Sequence, residues 1–354
     1  MGAIARRLKG VGAGAGAFAA LAGAGALLGA GGGGRARADD AKPAAGVTGP
    51  GCVLKGTHPV PRGTQIFDLV SGGRAVAAFT GAAQPLALSD FPADPAAGRA
   101  RARTSLGAAS LRIEGWMTPS ALAVFTTREL AVAPGHVWIT DAQHVRLVQA
   151  GSGALTAEIE VPGTGGQTLR ATAPCDAYSL QPGVPAVTVV PGEARGYLTR
   201  GASVVLYDDP AGSAVLTLRV SGGAAQLFWS TESRAGFVHV RARGSLTVDA
   251  WARLRELEPL KKGEMMDQFI PPTTAVAGAT LKLDHEPRIA RATRDLAVRA
   301  RREEKDRPIG VVEAGAEIFV METMVGWTNV LPRNLGLTPA DEGGFWIPAD
   351  EVPR

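Results

Sequence analysis

The sequence predicts an all-β chain organised as a tandem series of small β-barrels joined by short linkers. Three observations predict it. Short alternating runs of apolar and polar residues, rich in Thr, Val and Ile, recur along the chain without long helical periodicity. Forty-six Gly and 24 Pro in 354 residues supply turns at close intervals. A small motif also repeats: Gly236-Phe237-x-x-Val240 parallels Gly326-Trp327-x-x-Val330. The length suffices for two to four small domains. A hydrophobic share of 45% against 20% charged residues argues against disorder of the whole chain.

Residues 1–38 read as an export address. Arg6-Arg7-Leu8-Lys9 is a positive n-region, Val11 to Ala30 is apolar and uncharged, and Ala36-Arg37-Ala38 offers the small residues read by signal peptidase. Cleavage is expected after Ala38, leaving a secreted or periplasmic chain with no stable membrane insertion. A retained membrane anchor is the alternative, but the many glycines make a poor helical span. Arg6-Arg7 also raises the twin-arginine route. No Leu-x-x-Cys lipobox precedes Cys52. Residues 1–38 hold five basic residues and no acid; without them 32 basic residues face 33 acidic ones. The high overall pI is then no argument for a nucleic-acid partner.

Residues 39–56, rich in Ala, Gly and Pro, read as a flexible lead-in. The chain has two cysteines, Cys52 and Cys175. In an oxidising compartment such a pair suggests one disulfide; the alternative is two thiols, with Cys175 buried as a small hydrophobe.

Residues 57–128 form a first expected barrel unit. It runs through Thr64-Gln65-Ile66-Phe67-Asp68, Ala75 to Phe79, Leu86 to Leu88, Leu111-Arg112-Ile113 and Gly115-Trp116-Met117. Residues 129–185 form a degenerate β unit around Val137-Trp138-Ile139, His144 to Leu147, Ala157 to Val161 and Leu169 to Ala173. Residues 195–257 form another unit, with Val204 to Tyr207, a turn at Asp208-Asp209-Pro210, then Ala214 to Leu218, Ala225 to Trp229 and Ala250-Trp251-Ala252. An unrelated antiparallel meander is the alternative for these copies. Residues 258–285 read as a connector, extended at Pro271-Pro272.

The clearest unit spans residues 286–354. Its order is Leu296-x-Val298-Arg299, Ile309-Gly310-x-Val312-x-x-Gly315, Ile318-x-Val320, Gly326-Trp327-x-x-Val330 and Gly344-Phe345-Trp346. That order resembles the bacterial SH3-type (SH3b) domain family, and the upstream units resemble it more faintly. The resemblance implies tandem SH3-like small β-barrels. It also implies recognition of cell-wall peptidoglycan, its peptide stems or a protein partner outside the cytoplasm. This chain departs from the family in the charged insert Arg301-Arg302-Glu303-Glu304-Lys305-Asp306-Arg307 and in the longer segment between Val330 and Gly344. Both lie in loops that would line a ligand groove.

Signals for catalysis are missing. The five histidines (His58, His136, His144, His239, His285) show no His-Glu-x-x-His spacing. There is no Gly-x-Ser-x-Gly elbow and no Walker loop outside the leader. Neither cysteine has metal spacing, and Cys175 lacks the Ser-His-Gly lead of cell-wall transpeptidases. Asp208-Asp209 and Asp341-Glu342-Gly343-Gly344 read as turns rather than acid pairs or Ca²⁺ ligands. No cofactor, metal or catalytic residue is expected.

The candidate ligand contacts are Trp327, Phe345, Trp346, Arg299, Arg301 and Trp229. Aromatic side chains can stack on sugars or cradle a peptide, and arginine grips carboxylate or phosphate in a fork. Core packing is the competing reading for the aromatics, and a solvated hairpin for the arginines. The expected function is an exported, non-catalytic binding protein for a cell-wall polymer. The alternatives are a protein–protein scaffold of an envelope assembly and an enzyme of unrecognised type.

Overall fold

A computed structural model describes residues 51–105, 109–221, 225–261, 287–340 and 343–353. The expected leader, most of the lead-in and most of the connector lie outside these residues. With 51% strand and 3% helix, the chain is all-β. No helix among the described residues is long and apolar enough to cross a membrane.

Four antiparallel sheets carry the described strands. Alternation sets the inward faces. In Leu111–Met117 the residues Leu111, Ile113, Gly115 and Met117 are buried, while Arg112, Glu114 and Trp116 stay half-exposed. Ala100–Thr104 alternates in the same way, with Arg101 and Arg103 outward. Phe79, Phe91, Phe228 and Phe345 are the largest fully buried side chains. Burial of one such side chain stabilises by about 1.5–3 kcal/mol.

The first sheet orders Leu54–Pro59, Ala83–Ser89, Ala100–Thr104, Leu111–Met117, Gln65–Phe67, Ala75–Phe79 and Leu337–Pro339. Its Leu111–Met117 strand also pairs with Gly310–Val312, which pairs with Leu296–Val298. A five-stranded sheet runs Thr168–Pro174, Ala154–Glu160, His144–Gly151, Val124–Thr126, Tyr178–Ser179. The third sheet is built on Ser203–Tyr207, Leu246–Arg253, Phe237–Arg243, Leu227–Ser230 and Arg195–Thr199, and Val137–Ile139 joins it through Leu246–Arg253. The last sheet orders Arg288–Arg291, Glu317–Met324, Trp327–Pro332 and Trp346–Pro348.

None of these sheets closes into a barrel, which corrects the expectation of closed tandem barrels. The physical reason is strand exchange between units. Gly310–Val312 pairs with Leu296–Val298 of its own unit on one side and with Leu111–Met117 of unit 57–128 on the other, and Leu337–Pro339, in the long segment after Val330, pairs with Ala75–Phe79. Glycine is required at 310, because a Cβ there would lie 2.0 Å from the Arg112 carbonyl oxygen.

Polar contacts line this seam. Arg74 Nη2 donates to both carboxylate oxygens of Asp306, at 3.0 and 2.9 Å. Glu313 accepts from Arg112 Nη1 at 2.9 Å, Ser105 Oγ at 3.2 Å and the Ser110 N–H at 3.3 Å. Thr80 Oγ1 donates to the Leu335 carbonyl at 2.7 Å, and Asn334 Nδ2 to Gln84 Oε1 at 2.9 Å.

The expected disulfide is formed. Cys52 bonds Cys175 with a Cα–Cα distance of 5.3 Å, tying the lead-in to the 3-10 turn Cys175–Ala177. In the chain-entropy model a loop of this length stabilises by about 4–5 kcal/mol.

Candidate binding face

The C-terminal sheet gathers most of the sequence candidates on one side. Trp327 pairs with Pro348 and Asn329 with Trp346, so Trp327, Asn329 and Trp346 share a face. The alternate residues Thr328, Val330 and Ile347 are buried on the other. Arg299 is docked beside them by two backbone hydrogen bonds to Trp346, of 2.9 and 2.8 Å. Its guanidinium stands 5.8 Å from the Trp327 ring centroid, and its Nε donates to the Asp306 carbonyl at 3.2 Å.

Arg302, not singled out from the sequence, completes the face. Its guanidinium lies 5.2 Å from the Trp346 ring, and Nη1 is 3.8 Å from Met324 Sδ. The indole of Trp346 rests on Gly344, where a Cβ would meet Nε1 at 2.3 Å. Trp346 is only 8% exposed. It therefore acts as a floor beside which the Arg302 cation rests. Trp327 is half-buried and offers the accessible ring.

The surrounding loop carries Arg299, Arg301, Arg302, Lys305 and Arg307, none of which has an ion-pair partner among the described residues. Asp306 is matched to Arg74 across the seam. Glu303 and Glu304 are the acids left in the loop, so its cations exceed its free acids. The Oδ1 atom of Asn329 is buried without a hydrogen-bond partner.

The hairpin that presents Trp327 turns at Val325 and Gly326, with φ of +43° and +76°. A β-branched residue in the left-handed region is strained by about 1–2 kcal/mol. Val325 is also 92% exposed.

The other candidates lie elsewhere. Phe345 is fully buried and belongs to the core, where its size fills the space behind the face. Arg301 is exposed in the loop. Trp229 sits in the third sheet, 5.4 Å beneath Arg241. On that sheet Trp251 is stacked on His239 at 4.7 Å and covered by Arg234 at 5.6 Å. Arg253 stands 5.1 Å from the Tyr207 ring. Each of these rings has a cation or another ring beside it, as Trp327 and Trp346 do. Among the described residues no group of three or more His, Cys, Asp and Glu side chains gathers in metal-binding geometry.

No protein-family model matches the chain, and no curated protein matches it. Among solved structures it is similar to NlpC2 from Trichomonas vaginalis, at 14% identity and a TM-score of 0.16, over 46% of this chain and 48% of that one. The chain thus spans about half the length of that structure.

Proposed function

We propose that this protein is an exported, non-catalytic binding protein whose C-terminal SH3-like unit recognises an anionic cell-wall polymer, peptidoglycan or its carboxylate-bearing peptide stems. One observation carries the reading: an accessible indole and a second indole supporting an arginine, beside a loop whose cations outnumber its available acids. The guanidinium of Arg302, which has no ion-pair partner among the described residues, supports the reading because such a group can fork onto a carboxylate. The ring of Trp327 gives an apolar surface for the ligand backbone or a sugar. The disulfide supports an oxidising compartment, in keeping with the leader read from the sequence.

The test is co-sedimentation of the purified protein with insoluble peptidoglycan. Binding in low salt is expected, falling at about 0.5 M salt, where the Debye length shrinks to a few ångströms. Arg302→Ala and Trp327→Ala should each weaken binding several-fold with unchanged circular dichroism. No sedimentation in low salt would overturn the reading.

A protein–protein scaffold of an envelope assembly is the second reading. The stretch from Gln181 to Gly192 is uncharged and has no strand partner, and Val184, Val187 and Val189 are 92, 90 and 83% exposed. Envelope cross-linking from this stretch should then capture a defined partner, and a clean pulldown would count against it.

A further inference from the structure

The third sheet repeats the geometry of the C-terminal face. In both, a hairpin turns through a non-glycine residue and a glycine with positive φ: Ala235 and Gly236 at +51° and +79°, Val325 and Gly326 at +43° and +76°. The strand that leaves each turn pairs with a later strand in the same register. Phe237 faces Arg253 and His239 faces Trp251, as Trp327 faces Pro348 and Asn329 faces Trp346. Alternation then puts Phe237, His239 and Trp251 on one face, with Val238 and Ala252 buried on the other. A third strand agrees: Tyr207 lies beside Trp251 where Arg299 lies beside Trp346. Trp251 and Trp346 are both 8% exposed, and a guanidinium rests near each ring, that of Arg234 at 5.6 Å and that of Arg302 at 5.2 Å.

Ring and cation trade places at the outer end of the third-sheet face. Arg299 stands 5.8 Å from the Trp327 ring; its counterpart is Arg253, 6.0 Å from the Phe237 ring but reaching it from the opposite flank. Arg253 also stands 5.1 Å from the Tyr207 ring, and the two rings meet edge to face at 5.5 Å. All three side chains are half-buried. The guanidinium of Arg253 makes no ion pair or hydrogen bond among the described residues, and neither does the Tyr207 hydroxyl. The other arginines of the face are matched, Arg234 to Asp209 at 3.3 Å and Arg241 to Asp249 at 3.5 Å, and Glu232 is drawn to the His239 ring at 3.6 Å. Arg253 is the cation left over.

A guanidinium brings donors and no acceptor, so it has no lone pair to offer an ammonium group. It answers a carboxylate, onto which it can donate in a fork, and the phenol of Tyr207 can add a donor. We infer that the third sheet carries a second carboxylate-binding face, at Arg253, Tyr207 and Phe237, so that the chain takes two peptide-stem carboxylates, one at each face. The choice of peptide stems rests on the wall recognition proposed above; the second site rests on the shared register and the unpaired arginine.

The experiment is a heteronuclear NMR titration of the intact protein with the soluble disaccharide–peptide monomer of peptidoglycan, and with the same monomer carrying amidated carboxylates. The amides of Phe237 and Arg253 should shift along one binding curve, and those of Trp327 and Trp346 along another. Amidation should weaken the first curve about tenfold, the effect of one charge-assisted hydrogen bond. Arg253→Gln should do the same to the first curve, with unchanged circular dichroism and without moving the second. Tyr207→Phe, which keeps the ring, should cost about threefold. Arg241→Gln removes the same charge from a paired arginine and should leave the first curve within about twofold. Shifts at Trp327 and Trp346 alone would overturn the inference and leave the C-terminal face standing; shifts at Phe237 and Arg253 alone would do the reverse. No shift at either face at about 10 mM, far above useful affinities, would end both. Undiminished binding of the amidated monomer at Phe237 and Arg253, or a loss in Arg241→Gln as large as in Arg253→Gln, would also overturn the inference.

Discussion

Glu313→Ala probes whether the N- and C-terminal units are one cooperative body. The carboxylate accepts from Arg112, Ser105 and Ser110 on the opposite side of the seam, at 2.9, 3.2 and 3.3 Å. Arg112 and Glu313 are 24 and 23% exposed, so solvent screens the pair only in part. Hydrogen bonds to a charged group stabilise by about 1.5–3 kcal/mol each, but the two longer ones count for less. Arg112 also keeps Glu114 at 3.2 Å after the change, so the full cost of an orphaned buried charge does not arise. The expected loss is about 2–3 kcal/mol. With a urea m-value of about 3 kcal/mol/M, the midpoint should fall by about 0.7–1 M. Hydrogen exchange supplies the decisive readout. Amides of Ala75–Phe79 and Leu111–Met117 should lose protection together with those of Gly310–Val312 and Leu337–Pro339. Loss confined to the C-terminal strands, or a midpoint that does not move, would refute the reasoning.

Two further outcomes follow from the same structure. The His58 pKa is held below the usual histidine value by burial and then by the nearby His144, across the Phe125 ring. The fold thus prefers neutral His58; its stability is intact above about pH 6.5 and declines as pH drops below that toward the depressed folded value. Thermal midpoints between pH 7.5 and 5 should fall less for His58→Gln than for the parent, and equal falls would refute this. Val325→Asn should relieve the left-handed strain at φ +43° and give the Asn-Gly turn a hairpin favours. The expected gain is about 1 kcal/mol, read as a higher midpoint in urea; a lower one would contradict it.

Local features were legible in the sequence and long-range ones were not. Alternation in Leu111–Met117 and Trp327–Pro332 marks strands because period two is written into neighbouring residues. The Cys52–Cys175 bond was reachable because two cysteines leave a single intramolecular pairing. Strand partners are a different matter. Nothing in Gly310-Val311-Val312 says that, besides the neighbouring Leu296–Val298, its other ladder is Leu111–Met117, some two hundred residues away. The glycine at 310 was a faint signal of close backbone approach, without an address. At the site, Trp327 and Trp346 lie on one face through their strand register, and Arg299 is bonded to the Trp346 backbone. Phe345 goes inward because it alternates with Trp346 along the strand. Arg302 is set by a loop that alternation does not describe.

The exchanged strands also determine how the molecule would carry load. The first described strand, Leu54–Pro59, and the last described sheet are joined through the Leu111–Met117 and Ala75–Phe79 ladders. A pull on the two ends of the chain is therefore transmitted across those short ladders. The Cys52–Cys175 bond and the hydrogen bonds from Ser179 and Leu180 to the Lys55 carbonyl fasten the first strand to the central strands as well. Gly310–Val312 and Leu337–Pro339 are three residues each, so drawing the two units apart would open these short ladders first.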